Sequence, residues 1–229
     1  MQNILFYNKV SLLFLIGAMA YGVMTAGITA AVVTLVVSAS VIFLIKAFHN
    51  KKGVRHTFMA GVMLTLAAMA WSYVLLFLPF LLFFLVKPLE AFSGRNVMAM
   101  LLGTLTPLWL YLPYWLYIHF QVMDWAGMPD SYMRIVKTVR YFNYEDVTAL
   151  QIIIYGILLL FFLVLTVRRT PYCYKGKLFV RSQRAIYITL TWVSAAFLLV
   201  FPSFADCFLP LMAAFIGPVA AQVAIGDDR

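Results

Sequence analysis

The fold class that this chain predicts is all-α: a polytopic bundle of apolar helices crossing a lipid bilayer about eight times, forming one transmembrane domain over residues 1–229. Three observations predict it. Hydrophobic residues make up 65% of the 229, charged residues only 11%, and the mean hydropathy is +0.96. A soluble domain carries roughly 45–50% apolar and about 25% charged residues, and a chain this short has too little interior to hide the excess from water. The apolar runs are also continuous, whereas barrel strands alternate apolar and polar over about ten residues. Finally, the charges gather in short segments between the runs.

Each run then has to be divided into spans. The first, Val10 to Ile45, is uncharged and as one helix would reach about 54 Å at about 1.5 Å per residue. A single tilted helix cannot bury that length in a hydrocarbon core of about 30 Å. Two helices, 10–24 and 28–45, joined by a tight turn at Thr25-Ala26-Gly27, fit better. The second run, Thr57 to Val86, contains Pro79 and divides into 57–73 and 76–86, meeting around Trp71–Pro79. Four clearer spans follow at 96–117, 150–167, 185–201 and 207–225.

Basic residues decide between eight spans and six. With eight, both termini share one face, and that face receives 14 of the 17 lysines and arginines, the opposite face only Arg134, Lys137 and Arg140. Six spans divide them almost evenly. Positive charge is retained on the cytoplasmic side, so eight spans with cytoplasmic termini is the expectation. Trp71 and Tyr73, and the cluster Trp109, Tyr111, Tyr114, Trp115 and Tyr117, then fall at outer helix ends, where half-polar rings favour the interface. Ala18-Met19-Ala20 has the small-x-small pattern of a signal cleavage site, but the apolar run continues to Ile45, which favours an uncleaved first span.

Small residues mark where helices meet: Ala213, Gly217, Ala220, Ala221 and Ala224 in the last span, Ala18 and Gly22 in the first. Pro107, Pro113, Pro210 and Pro218 each release a carbonyl inside a helix. Glu90 and Arg95 flank Phe92-Ser93-Gly94, so an ion pair across that turn is expected, with Ser93 capping the fifth helix.

Sites for chemistry are few. The longest polar segment, 120–149, is expected as an outer interfacial loop. Within it Pro129-Asp130-Ser131 reads as a helix start, with Tyr132, Ile135, Val139 and Phe142 on one face of a short amphipathic helix. Asp124, Asp130, Glu145 and Asp146 are the candidate catalytic carboxylates, and Arg134, Lys137 and Arg140 the candidate phosphate or lipid contacts. The bland alternative is an interfacial loop whose bases meet lipid phosphates. The inner loop, 168–184, has six basic residues and no acid, which suits anionic lipid head groups. Cys173 and Cys207 lack a paired-cysteine spacing, and His49, His56 and His119 are scattered, so no metal or cofactor is expected. Nucleic acid is excluded as a partner because the positive charge sits in short loops between spans.

The stretch Phe92 to Trp115, FSGRNVMAMLLGTLTPLWLYLPYW, with an Arg-Asn helix start, a Leu-Leu-Gly-x-Leu-Thr-Pro core and an aromatic exit, resembles an uncharacterised family of inner-membrane proteins from Bacteroidota. The leucine- and phenylalanine-rich hairpin from Trp71 to Val86 is similar too. The resemblance implies a Gram-negative inner membrane and assigns no functional residue. Members of that family continue past the equivalent of Ala221 into another span, which leaves open whether this chain is a shortened member.

Three functional classes stay open: an accessory, non-catalytic membrane protein working through lipid or a membrane-protein partner; an enzyme or carrier for lipid-linked sugars at the outer loop; and a small-molecule transporter. The span interiors carry no Asp, Glu, Lys, Arg or His, which weighs against proton coupling.

Overall fold

A computed structural model describes residues 2–50, 53–119, 147–167 and 178–226. Among these all the regular secondary structure is helical. It forms α1 (Gln2–Ala26), α2 (Ile28–Ile45), α3 (Val54–Ala70), a 3-10 segment Ser72–Phe77 leading into α4 (Leu78–Val86), and α5 (Gly94–His119). Then come α6 (Ala149–Val167), α7 (Leu178–Val200), a short 3-10 turn Pro202–Phe204, and α8 (Ala205–Gly226). Six of these helices are long and apolar enough to cross a membrane: α1, α2, α5, α6, α7 and α8. α3 and the Ser72–Val86 segment are apolar but shorter.

Both long runs break at the expected places. The first breaks at Gly27, whose φ of 80° and ψ of −171° lie where residues with a Cβ are strained. The second breaks at Trp71, which is extended, and restarts as a 3-10 turn with Pro79 in the first turn of α4. Proline is tolerated there because the first helical N–H groups have no intrahelical acceptor. Several helices outrun their apolar spans: α3 starts at Val54 and α7 at Leu178, so Arg55, Arg181 and Arg184 are helical. Helical hydrogen bonding does not stop where hydrophobicity does, and the long stems of these side chains can lie along apolar surface.

Polar contacts gather the helix ends into two groups. At one end His49 N–H donates to the Leu89 carbonyl at 2.9 Å, and Asn96 Nδ2 donates to the carbonyls of Asn50 at 3.2 Å and Ala91 at 2.8 Å. There, too, the Phe48 ring meets the edge of Phe179 at 5.2 Å. The ends of α2 and α4 and the starts of α3, α5 and α7 therefore lie together. At the other end Tyr73 packs on Phe204 with ring centroids 3.8 Å apart, and Gln151 Nε2 donates to Asp206 Oδ1 at 2.7 Å. α4 thus returns the chain to the end from which α3 departs. Lys46, Arg55, Lys87, Arg95, Arg181 and Arg184 all belong to the first end. Among the described residues the second end carries Asp206 and no lysine or arginine.

The turn between α4 and α5 differs from expectation in its ion pair. Glu90 faces His49, Oε2 to Nδ1 3.5 Å, and not Arg95. Both partners have positive φ, 55° for His49 and 50° for Glu90. Ser93 takes part through its carbonyl, which accepts from the N–H groups of Asn96 and Val97.

Packing is tightest where small residues let backbones touch. α3 and α5 start at the same end and cross at Gly61 and Gly103: a Cβ on Gly61 would strike the Met100 carbonyl, and one on Gly103 the Phe58 carbonyl. Thr65 Oγ1 donates to the Thr104 carbonyl at 3.0 Å beside this crossing, and Ser40 Oγ to the Ala60 carbonyl at 2.7 Å ties α2 to α3. Such interhelical bonds are worth about 0.6 kcal/mol each in a membrane protein, at most about 1.7. α1 packs along α8, where the position of a Gly217 Cβ lies 2.6 Å from Phe14 Cβ, so this small residue does serve close approach. Phe77 fills the centre, its ring 5.6 Å from Phe197 and 6.2 Å from both Phe208 and Phe215. Tilted and edge-on contacts of this kind suit the ring quadrupoles.

Candidate functional site

Asp124, Asp130, Arg134, Lys137, Arg140, Glu145 and Asp146 all lie outside the described residues, as do the predicted amphipathic helix, most of the 168–184 loop and Cys173. The described structure brings together a different set, at the point where the 120–146 segment rejoins the bundle.

It is built from the first turn of α6. Thr148-Ala149-Leu150-Gln151 forms a reciprocal capping box: Thr148 N–H donates to Gln151 Oε1 at 2.9 Å, and Gln151 N–H to Thr148 Oγ1 at 3.4 Å. Two donors that the helix cannot satisfy internally are thereby matched. With Oε1 committed to its own helix, the Gln151 amide presents Nε2 outward, to Asp206 Oδ1. Asp206 sits in the first turn of α8, where the helix dipole favours a carboxylate by about 0.3–1 kcal/mol. Pro210 has no N–H to give the Asp206 main-chain carbonyl. The result is an acceptor-rich turn, half-buried among apolar helices.

Two apolar clefts lie on either side of Leu209, and Gln151 lines one of them. One, of about 280 Å³, lies between α1, α6 and α8 and is lined by Phe14, Gly17, Tyr21, Leu158 and Leu209 among others. The second, of about 250 Å³, lies between α6, α7 and α8, with Val147, Gln151, Tyr155 and Leu209 in its wall. Each is slightly smaller than the roughly 300–1,000 Å³ of typical small-molecule sites. The Tyr21 hydroxyl is buried and has no hydrogen-bond partner among the described residues. The Tyr155 hydroxyl reaches the Ala195 carbonyl at 3.4 Å. The clefts exist because α6 is lightly packed, touching its neighbours through a few rings: Phe161 on Phe14 at 6.1 Å and Phe162 on Trp192 at 5.5 Å.

The other polar cluster, around Asn96 and the His49–Glu90 pair, reads as a staple. Asn96 is fully buried and spends its amide donors on two main-chain carbonyls of adjoining turns. Among the described residues no group of three His, Cys, Asp or Glu is placed to hold a metal. Cys207 is a free, buried thiol, so an aqueous probe cannot use it to report topology.

Neither Gln151 nor Asp206 stands out as a candidate in the sequence. A signal was present: Thr148 followed three residues later by Gln151, ahead of an apolar run, is a capping-box pattern. That Gln151 would meet a residue 55 positions away has no counterpart in local sequence. Comparison of the chain with protein-family models, with curated proteins and with solved structures found no match.

Proposed function

We propose that the chain crosses the inner membrane eight times with both termini and the basic turns on the cytoplasmic side, and that it is an accessory, non-catalytic protein acting through lateral contacts with lipid and neighbouring helices. The observation that carries this reading is α6: a largely outward-facing apolar helix, latched at its start by the Gln151–Asp206 bond, with a laterally placed apolar cleft on either side. The grouping of described basic residues at one end supports the orientation.

Topology is tested in a variant lacking both native cysteines. Ser72→Cys and Arg95→Cys each place a thiol on an exposed residue, at opposite ends of the bundle. An impermeant maleimide applied to spheroplasts should label Ser72→Cys and leave Arg95→Cys untouched until the membrane is opened. The reverse pattern inverts the orientation, and protection of Ser72→Cys under both conditions returns the second run to a single span. The accessory role predicts that Asp124→Ala, Asp130→Ala, Glu145→Ala and Asp146→Ala, made singly, each preserve cellular function.

A second reading, an enzyme or carrier for lipid-linked sugars, has one supporting observation. The segment holding Asp124, Asp130, Glu145, Asp146 and the bases Arg134, Lys137 and Arg140 leads directly into Val147, which lines the second cleft. A surface-glycan defect in a deletion strain, restored by wild type and not by Asp124→Ala, would establish it. An unchanged glycan profile removes it.

A further inference from the structure

We infer that the cleft between α1, α6 and α8 is a binding site for a phospholipid with a protonated amine in its head group, held by Asp206. The inference rests on the lateral-contact reading above and names the ligand. Three features of the cleft define the occupant. Its wall from Leu13 to Tyr21 on α1 is about 12 Å long, some two helical turns, and apolar, which suits a length of acyl chain. At one limit of this wall stands Tyr21, whose buried hydroxyl lacks a partner among the described residues. A buried hydroxyl left unpaired is costly, and a phosphate oxygen would accept from it. The Asp206 carboxylate lies near enough to act electrostatically on the Tyr21 hydroxyl; its Oδ1 accepts from Gln151 Nε2, and a carboxylate has a second oxygen to offer a further donor.

Charge selects the head group. Among the described residues this end of the bundle has no lysine or arginine to compensate Asp206. An ammonium supplies both the charge and the donor that a carboxylate takes most strongly, and an anionic head group has neither. A zwitterionic aminophospholipid satisfies both polar groups, its phosphate at Tyr21 and its ammonium at Asp206.

Two substitutions separate charge from shape. Asp206→Asn keeps an oxygen for Gln151 Nε2 and removes only the charge. Gly17→Leu fills the cleft, since a Cβ at Gly17 meets nothing within 4 Å, and leaves the polar latch untouched. The experiment is native mass spectrometry of the full chain, purified in mild detergent and supplied with equal phosphatidylethanolamine and phosphatidylglycerol. Wild type should retain phosphatidylethanolamine about tenfold over phosphatidylglycerol, a ratio of the order one charge-assisted contact supplies. Asp206→Asn should bring the two lipids to parity, and Gly17→Leu should abolish retention of both.

Equal retention by wild type would overturn the proposal. So would a preference that survives Asp206→Asn, retention that survives Gly17→Leu, or a stoichiometric polypeptide bound in place of lipid. Because lipid retention in detergent does not depend on membrane orientation, its failure is distinguishable from a failure of the cysteine-labelling test.

Discussion

α6 and α8 are helices of similar length and both are apolar, yet 83% of the apolar window of α8 is buried inside the protein against 11% for α6. The less buried helix is the more hydrophobic of the two. In water this order would be perverse; in a bilayer it is expected. Lipid solvates Leu and Ile as well as a protein interior does, so outward positions can be uniformly large and apolar. An interior helix instead needs small residues for close approach and has partners for its polar atoms, and α8 carries Gly217, Ala220 and Ala221. Burial in this molecule follows packing shape and not hydrophobicity.

That contrast can be broken by paired substitutions, read as thermal or denaturant unfolding in detergent. The largest effect is expected in the aromatic centre. Phe215→Ala in α8, where the ring is 1% exposed, should cost about 3–5 kcal/mol, while Ile157→Ala in α6, 63% exposed, should stay within about 0.5 kcal/mol. Similar losses from both would mean that α6 is covered by something other than lipid.

Next come the glycines. Gly103→Ala sets a methyl against the Phe58 carbonyl and should cost about 1–3 kcal/mol by overpacking, because the obstacle is backbone and cannot rotate away. Gly156→Ala in α6, where a Cβ meets nothing within 4 Å, should be neutral or slightly stabilising through helix propensity. A neutral Gly103→Ala would show that α3 and α5 cross less closely than described.

The smallest effect belongs to the latch. Gln151→Leu removes the side-chain half of the capping box and the bond to Asp206, leaves the Thr148 cap on the residue-151 N–H, and should cost about 1 kcal/mol. Its signature is local: amide hydrogen exchange should rise in the first turns of α6 while α8 keeps its protection. Uniform loosening of both helices would make the latch part of the core and not a tether.

Much of the architecture was legible in the residues for simple reasons. A run from Val10 to Ile45 is too long for one span, and Gly27 is the residue in its middle that permits a left-handed turn, so that break could be located in advance. Trp71 and Pro79 located the second break in the same way. The expected pairing of Glu90 with Arg95 failed because proximity in sequence ignores what lies across the turn: the end of α2 brings His49 to Glu90. The Gly61–Gly103 crossing was likewise hidden. Its two glycines sit in different runs, and small-residue reasoning identified only the faces of α1 and α8.

Sequence by itself determined the apolar, helical character of this protein, the places where its two long apolar runs break, and the separation of basic from uncharged segments. These properties are local, since hydrophobicity, chain length and backbone conformational preference each act over a few residues. Tertiary structure alone decided which helix occupies the centre and which lies outermost, which carbonyls approach the glycines, and that Gln151, Asp206 and Tyr21 gather beside two apolar clefts. These depend on side chains far apart in the chain meeting at fixed distances, and the partners are chosen by shape and by unsatisfied hydrogen bonds that no local pattern encodes.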